Sequence, residues 1–228
     1  MTEENDQPGE FASPPCFAHE LRETEDGFVA VDATAAADLK RWRKAERERL
    51  IAMRLATAVD ERSRVADEVA AELDGLVDVR PGLVVSLYWP IRGELNLLPW
   101  MRSMHERGAH IGLPVVVAKG QPLIFRRWTP EGQIARGVWN IPIPADGEEL
   151  TPDVVLSPVV GFDAQCYRLG YGGGFYDRTL AAQPRKPLVI GVGLPTMQIA
   201  TIYPQPYDIP MDVIVTGKGQ ITRPETRG

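Results

Sequence analysis

Leu83-Val-Val-Ser-Leu-Tyr-Trp89 is the stretch on which the fold turns. It carries no charge and no polar alternation, and it lies between Arg80-Pro-Gly82 and Pro90-Ile-Arg-Gly-Glu94. A strand with one solvated face alternates polar and apolar residues, whereas a strand covered on both faces does not. Downstream, residues 110–117, 122–128, 153–156, 188–192 and 212–216 also read as strands, and residues 96–106 and 175–182 read as helices. Alternating strands and helices predict an α/β fold: three-layer, Rossmann-like, with a mostly parallel sheet flanked by helices. In such sheets ligands sit beyond the carboxyl ends of the strands.

Upstream, residues 32–58 contain neither Gly nor Pro, with Asp32 placed to cap a long helix. Leu39, Trp42, Leu50 and Met53 fall on one stripe of it. A second helix from about residue 60 presents Val65, Val69, Leu73 and Leu76 three and four apart. Residues 1–31 are rich in Pro and acids and lack periodicity, so they read as an N-terminal extension, either poorly ordered or draped on the core. That leaves residues 32–228 as a single α/β domain.

The chain has 228 residues, 44% of them hydrophobic, enough for one sizeable core. Its 25 basic against 31 acidic residues give a net charge of −6, so no global field favours nucleic acid or anionic lipid, and any phosphate must meet a local basic pocket. No apolar run approaches a membrane span, and the first ten residues have no signal-peptide character, which points to a cytoplasmic protein. Two cysteines (Cys16 and Cys166) and three histidines exclude a disulfide scaffold or a Cys-rich zinc site.

The most unusual segment is Arg168-Leu-Gly-Tyr-Gly-Gly-Gly-Phe-Tyr-Asp-Arg178. Gly170, Gly172, Gly173 and Gly174 let the backbone come close to a ligand, and successive bare N–H groups opening a helix form an anion cradle. Glycines alone would equally serve a tight turn for close strand–helix packing. The flanking Arg168, a planar fork for phosphate oxygens, and Asp177, a ligand for the magnesium of a nucleotide, turn the reading towards phosphate. It is not a dinucleotide fingerprint, because Phe175 stands where the last glycine of that motif would be.

Together with Gly161-Phe-Asp163 and Tyr167, this string closely resembles the signature of the 5-formyltetrahydrofolate cyclo-ligase family, also called 5,10-methenyltetrahydrofolate synthetases. Val138-Trp-Asn-Ile-Pro142 and Pro204-Gln-Pro-Tyr-Asp-Ile-Pro-Met-Asp-Val-Ile-Val-Thr216 agree in order and spacing, and the resemblance runs from about residue 37 to 217. It implies ATP on Arg168 and the four glycines, and Mg2+ on Asp177 and Asp208. It also implies a folate contact from Glu94. Trp139 and Tyr176, and less directly Tyr88, are candidate surfaces for a pterin or aminobenzoyl ring. Arg168, Tyr176 and Asp177 are the residues expected to act in catalysis. Family members carry a Lys and an Arg four residues apart on the first helix, both meeting ATP. Lys40 and Lys44 have that spacing, while another register makes Arg43 the arginine and sets Leu39 at the lysine. Arg43 and then Lys40 are favoured.

Three positions depart from the family's habit: Cys166 for Gly, Tyr207 for His and Gly217 for Glu. The resemblance implies an ATP-dependent ligase that cyclises 5-formyltetrahydrofolate through a phosphorylated formyl group. Its partners would be the folate and ATP, with neither nucleic acid nor membrane, in a monomer or weak homodimer. Two alternatives stand beside it: an inert folate- or nucleotide-binding paralogue, and another small-molecule kinase or ligase using the same loop.

Overall fold

The computed structural model describes residues 18–224. Residues 1–17, most of the stretch read as an extension, lie outside the described residues, and so does Cys16. After a single turn at residues 18–20 comes a hairpin, β1 (Leu21–Thr24) and β2 (Gly27–Ala30), for which the sequence showed no period because each strand has only four residues. Helix α1 (Ala33–Ala56) follows, capped by Asp32, whose Oδ1 accepts from the N–H groups of Thr34 and Ala35 at 2.8 and 2.9 Å. Helix α2 (Val59–Leu76) buries Val65, Val69 and Leu73 as their spacing requires.

The main body is β3 (Val84–Ser86), α3 (Leu98–Glu106), β4 (His110–Val116), β5 (Leu123–Trp128), β6 (Ile134–Arg136), β7 (Pro142–Pro144), β8 (Glu149–Leu150), β9 (Val154–Pro158), β10 (Gly161–Phe162), β11 (Arg168–Leu169), α4 (Phe175–Ala182), β12 (Leu188–Val192), β13 (Val213–Val215) and β14 (Gln220–Thr222). Eight strands form one sheet in the order β14-β13-β12-β9-β3-β4-β5-β8. The five from β13 to β4 are parallel; β14 and β5 run against them, and the edge strand β8 pairs antiparallel with β5. β6–β7 and β10–β11 are separate small ribbons.

Central strands read as continuous apolar runs because they are buried along their length; β9 and β13 each bury Val, Ile or Leu side chains at successive positions. From β3 the chain steps outward through α3 to β4, and from β9 it steps the opposite way through α4 to β12. Right-handed crossovers in opposite directions put α3 and α4 on opposite faces, and the order reverses between β3 and β9. Among the described residues no helix is long and apolar enough to cross a membrane.

Helix α1 departs from the expected stripe. Leu39 and Leu50 are buried, but Met53 is exposed, and three charged residues, Arg43, Glu46 and Arg54, are buried instead. Buried charges need partners, and those of Arg43 and Arg54 lie in the loops that leave the carboxyl ends of the sheet.

Candidate active site

Two loops part at the point where the strand order reverses. One leaves β3 and carries Glu94; the other leaves β9, forms the β10–β11 ribbon and becomes the glycine loop that opens α4. Arg54 ties them together: its Nε donates to the Arg92 carbonyl at 3.0 Å and its Nη1 to the Val159 carbonyl at 3.2 Å. Its Nη2 donates to the Tyr171 hydroxyl at 2.5 Å, and that hydroxyl donates to Oε1 of Glu94 at 2.8 Å. The Ile91 N–H supplies the other carboxylate oxygen at 2.9 Å. Glu94 is only 8% exposed, and burial pushes its carboxyl above the ordinary range against the pull of these donors. Arg54, Val159 and Glu94 also line a small cavity with Leu95, Val192, Gly193 and Leu194. Tyr88 lies in the core beneath, its hydroxyl donating to the Leu95 carbonyl at 2.8 Å, so it supports the Glu94 loop and offers no open ring face.

In the glycine loop, Gly172 and Gly174 have φ of +89° and +62°, which turns successive amides outward before α4 begins. Among the described residues the N–H groups of Tyr171, Gly172, Gly173 and Gly174 meet no protein acceptor. The first-turn amides of α4 have no intrahelical partner either. This is the geometry of an anion cradle. Arg47 of α1 closes one side of it. Its Nε donates to the Gly170 carbonyl at 2.7 Å, and its Cζ stands 3.2 Å from where a Cβ on Gly172 would be. Burial lowers the pKa of the Arg47 guanidinium, and the neighbouring positive charge of Arg43 lowers it further. Arg178 closes the other side by donating to the Gly173 carbonyl.

Sequence reasoning missed Arg47, because within Arg43-Lys-Ala-Glu-Arg47-Glu-Arg it looks like one more residue of a solvated face. The readable signal was spacing: Arg43, Arg47, Leu50 and Arg54 fall on one stripe. The pair four residues apart that faces the site is Arg43 and Arg47. Lys40 and Lys44 are exposed, and Lys44 lies 3.9 Å from Glu48 along the helix.

Arg43 is buried and donates to the Ile202 and Tyr203 carbonyls at 3.1 and 2.7 Å and to Oδ2 of Asp208 at 2.6 Å. Asp208 Oδ2 also accepts from the Gln205 N–H. Arg168 is engaged in the same manner: its Nη1 donates to the Ile209 carbonyl at 2.9 Å and its Nη2 to Oδ1 of Asp177 at 2.6 Å. The Arg168 fork is therefore turned onto Asp177 and Ile209, where it orients the carboxylate, and is not left open for phosphate. The Ile209 N–H donates to Asp177 Oδ1 as well, so Asp177 and the loop carrying Asp208 share one network. The Tyr176 ring lies under Arg168, 5.7 Å from its guanidinium carbon, and burial together with Glu94 raises the pKa of its phenol.

Each proposed metal carboxylate thus has one oxygen held by an arginine and an amide, while the other oxygen meets no protein partner among the described residues. Two hard oxygens suit magnesium when phosphates and water complete the shell. No group of three His, Cys, Asp or Glu capable of holding a metal by itself occurs among the described residues.

Trp139 sits at the tip between β6 and β7 with φ +56°, next to Asn140 at +59°. It is 69% exposed, yet its ring meets the edge of Phe175, the first residue of α4, at 5.7 Å. The ring is thus held in a left-handed backbone conformation and left open to solvent beside the glycine loop, where its face is accessible to a flat ligand. Of the departures, Cys166 is buried with φ +63°, which explains a glycine habit there. Tyr207 is exposed, and Gly217 backs onto Glu68 and Val65 of α2.

The profile of the 5-formyltetrahydrofolate cyclo-ligase family matches residues 39–217. The 5-formyltetrahydrofolate cyclo-ligase of Escherichia coli K12 is 28% identical over 171 residues, covering 72% of this chain and 93% of its own. The solution structure of Aquifex aeolicus 5,10-methenyltetrahydrofolate synthetase superposes with a TM-score of 0.70 at 29% identity, covering 82% of this chain and 95% of its own. The 5,10-methenyltetrahydrofolate synthetase of Mycoplasma pneumoniae shares the fold at a TM-score of 0.64 and 22% identity, covering 77% of this chain and 98% of its own.

Proposed function

Because the chain belongs to the 5-formyltetrahydrofolate cyclo-ligase family, we propose that it converts 5-formyltetrahydrofolate and ATP into 5,10-methenyltetrahydrofolate, ADP and phosphate. The convergence of a bare-amide loop and a buried glutamate on one crevice at the strand-order reversal carries this reading. A formamide oxygen leaves poorly, so the γ-phosphoryl group moves from ATP to that oxygen and ADP is released. The N10 amine then bonds to the activated carbon and loses its proton as the carbon–oxygen bond breaks and phosphate departs. Amine and formyl group belong to one molecule, so effective molarity is high and no side-chain nucleophile is needed.

The chain's task is placement and charge. The amides of Tyr171 to Gly174, with Arg47 beside them, take the phosphates of ATP, while Arg43, committed to Ile202, Tyr203 and Asp208, adds only its charge. Arg168 holds Asp177, and Arg43 holds Asp208, so that their free oxygens face the nucleotide. Asp177 and Asp208 would hold magnesium with those oxygens, and the ion would supply positive charge against the transferring phosphoryl group. Glu94 takes the paired N–H donors of the pterin or the reacting formamide, and Trp139 and Tyr176 flank the ring system. On this reading the protein works in the cytoplasm as a monomer or weak homodimer whose partners are the folate and ATP, without nucleic acid or membrane. The test is incubation with 5-formyltetrahydrofolate and magnesium-ATP while methenyl absorbance and ADP are followed. Equal amounts of both are expected; ADP without the methenyl product, or neither, overturns the proposal.

A further inference from the structure

The hairpin β1–β2 lies outside the stretch matched by the family profile, yet it is seated on the loop that ends at Asp208. Gly27, with φ +120°, brings its backbone so close to Pro204 that a Cβ there would stand 2.5 Å from the Pro204 carbonyl oxygen. The next amide, Phe28 N–H, donates to that same oxygen at 2.6 Å. The Phe28 ring meets the edge of Tyr203 at 5.5 Å, and Tyr203 meets Trp42 of α1 at 5.1 Å. Leu21, Leu39 and Tyr203 form a small apolar cluster of their own, against which Phe28, Ala30 and Trp42 pack.

On its other side the same loop is held by Arg43, which takes the carbonyls of Ile202 and Tyr203 and the carboxylate of Asp208. Tyr203 has φ +51°, a conformation that a residue with a side chain keeps only when its surroundings impose it. Here they are the hairpin and α1, which are covalently continuous through the Asp32 cap. A loop gripped from two sides, strained at its start and ending in a carboxylate of the site, is a loop whose geometry is set from outside.

We propose that the β1–β2 hairpin braces the 203–208 loop and so positions Asp208; the N-terminal segment is a working part of the site, and Gly27 and Phe28 are its positioning residues. The role given to Asp208 rests on the function proposed above, but the brace itself does not. Two variants of the full chain test it. Phe28→Ala removes the ring that packs on Tyr203, and Gly27→Ala pushes the backbone off Pro204. Two readouts are needed: amide hydrogen exchange across residues 202–209, and the magnesium dependence of cyclisation.

Both variants are expected to speed exchange of the Gln205 and Asp208 amides by at least about fivefold, equivalent to losing one net hydrogen bond, with strands β9 and β12 unchanged. The magnesium concentration for half-maximal rate should rise by about the same factor, with the Michaelis constant for the folate unchanged and Phe28→Tyr restoring both. Faster local exchange in a protein that does not cyclise the folate would uphold the brace and overturn the function. Exchange at 202–209 equal to wild type, or accelerated uniformly along the chain in both variants, would overturn the brace.

Discussion

Arg47→Gln separates binding from folding. In the structure Arg47 holds one neutral acceptor, the Gly170 carbonyl, and no carboxylate partner occurs among the described residues. Losing that bond costs about 0.5–1.5 kcal/mol of stability, partly offset because a half-buried cation beside Arg43 is no longer desolvated. A charge-assisted contact to a phosphate oxygen contributes about 1.5–3 kcal/mol, so its removal should raise the Michaelis constant for ATP about 10- to 150-fold. Initial rates of methenyl formation against ATP at saturating folate would measure this, with thermal unfolding run in parallel. The Michaelis constant for the folate should hold and the unfolding midpoint should move by no more than about 6 °C. Lys40→Gln in the same assay tests the other register, and its exposed amine should prove dispensable. An unchanged constant for ATP in Arg47→Gln, or an equal loss in Lys40→Gln, would refute the reasoning.

Other perturbations should behave as follows. Arg43→Met leaves Asp208 nearly buried and unpaired, which costs about 3–5 kcal/mol and should lower the unfolding midpoint by about 6–20 °C; a midpoint within a degree or two of wild type would show that the pair is not structural. Burial raises the folded pKa of Glu94, so its stabilising contribution is complete only below the unfolded value of about 4.3 and is lost as pH rises through the folded pKa. Glu94→Gln should therefore gain stability relative to wild type at neutral pH, and the gain should vanish near pH 4 in denaturant titrations. The Cys166 thiol, buried and pushed up to about 11, should resist iodoacetamide at pH 8 until the protein is unfolded; rapid alkylation of native Cys166 would contradict its burial.

How much was legible from residues alone follows from what each element must bury. The parallel strands could be read because they are covered on both faces, so Val84–Ser86 and Leu188–Val192 announce themselves as apolar runs. The ribbons β6–β7 and β10–β11 and the edge strand β14 escaped, since two or three residues define no period and their pairing is decided by distant partners. The glycine loop was legible from composition, and the structure gives it the turned-out amides expected of it. Of the basic residues of α1, Arg43 was favoured but Arg47 and Arg54 were passed over, because a guanidinium that reaches carbonyls more than a hundred residues away cannot be told by type from one in water. Arg54, Arg47 and Arg43 differ from Arg41 and Lys44 only in which way the helix turns them. The direction of Arg168 was not legible either: the fork that looked free for phosphate is committed to Asp177.

The central claim is that the crevice at the strand-order reversal holds nucleotide phosphates against the amides between Gly170 and Phe175, within reach of a folate on Glu94. A crystal structure with a non-hydrolysable ATP analogue, magnesium and 5-formyltetrahydrofolate measures this directly. The terminal phosphate should lie within hydrogen-bond distance of the Gly172 to Gly174 amides and the Arg47 guanidinium, with the formyl oxygen facing it. A nucleotide bound elsewhere, with the glycine loop unchanged and empty, would contradict the account.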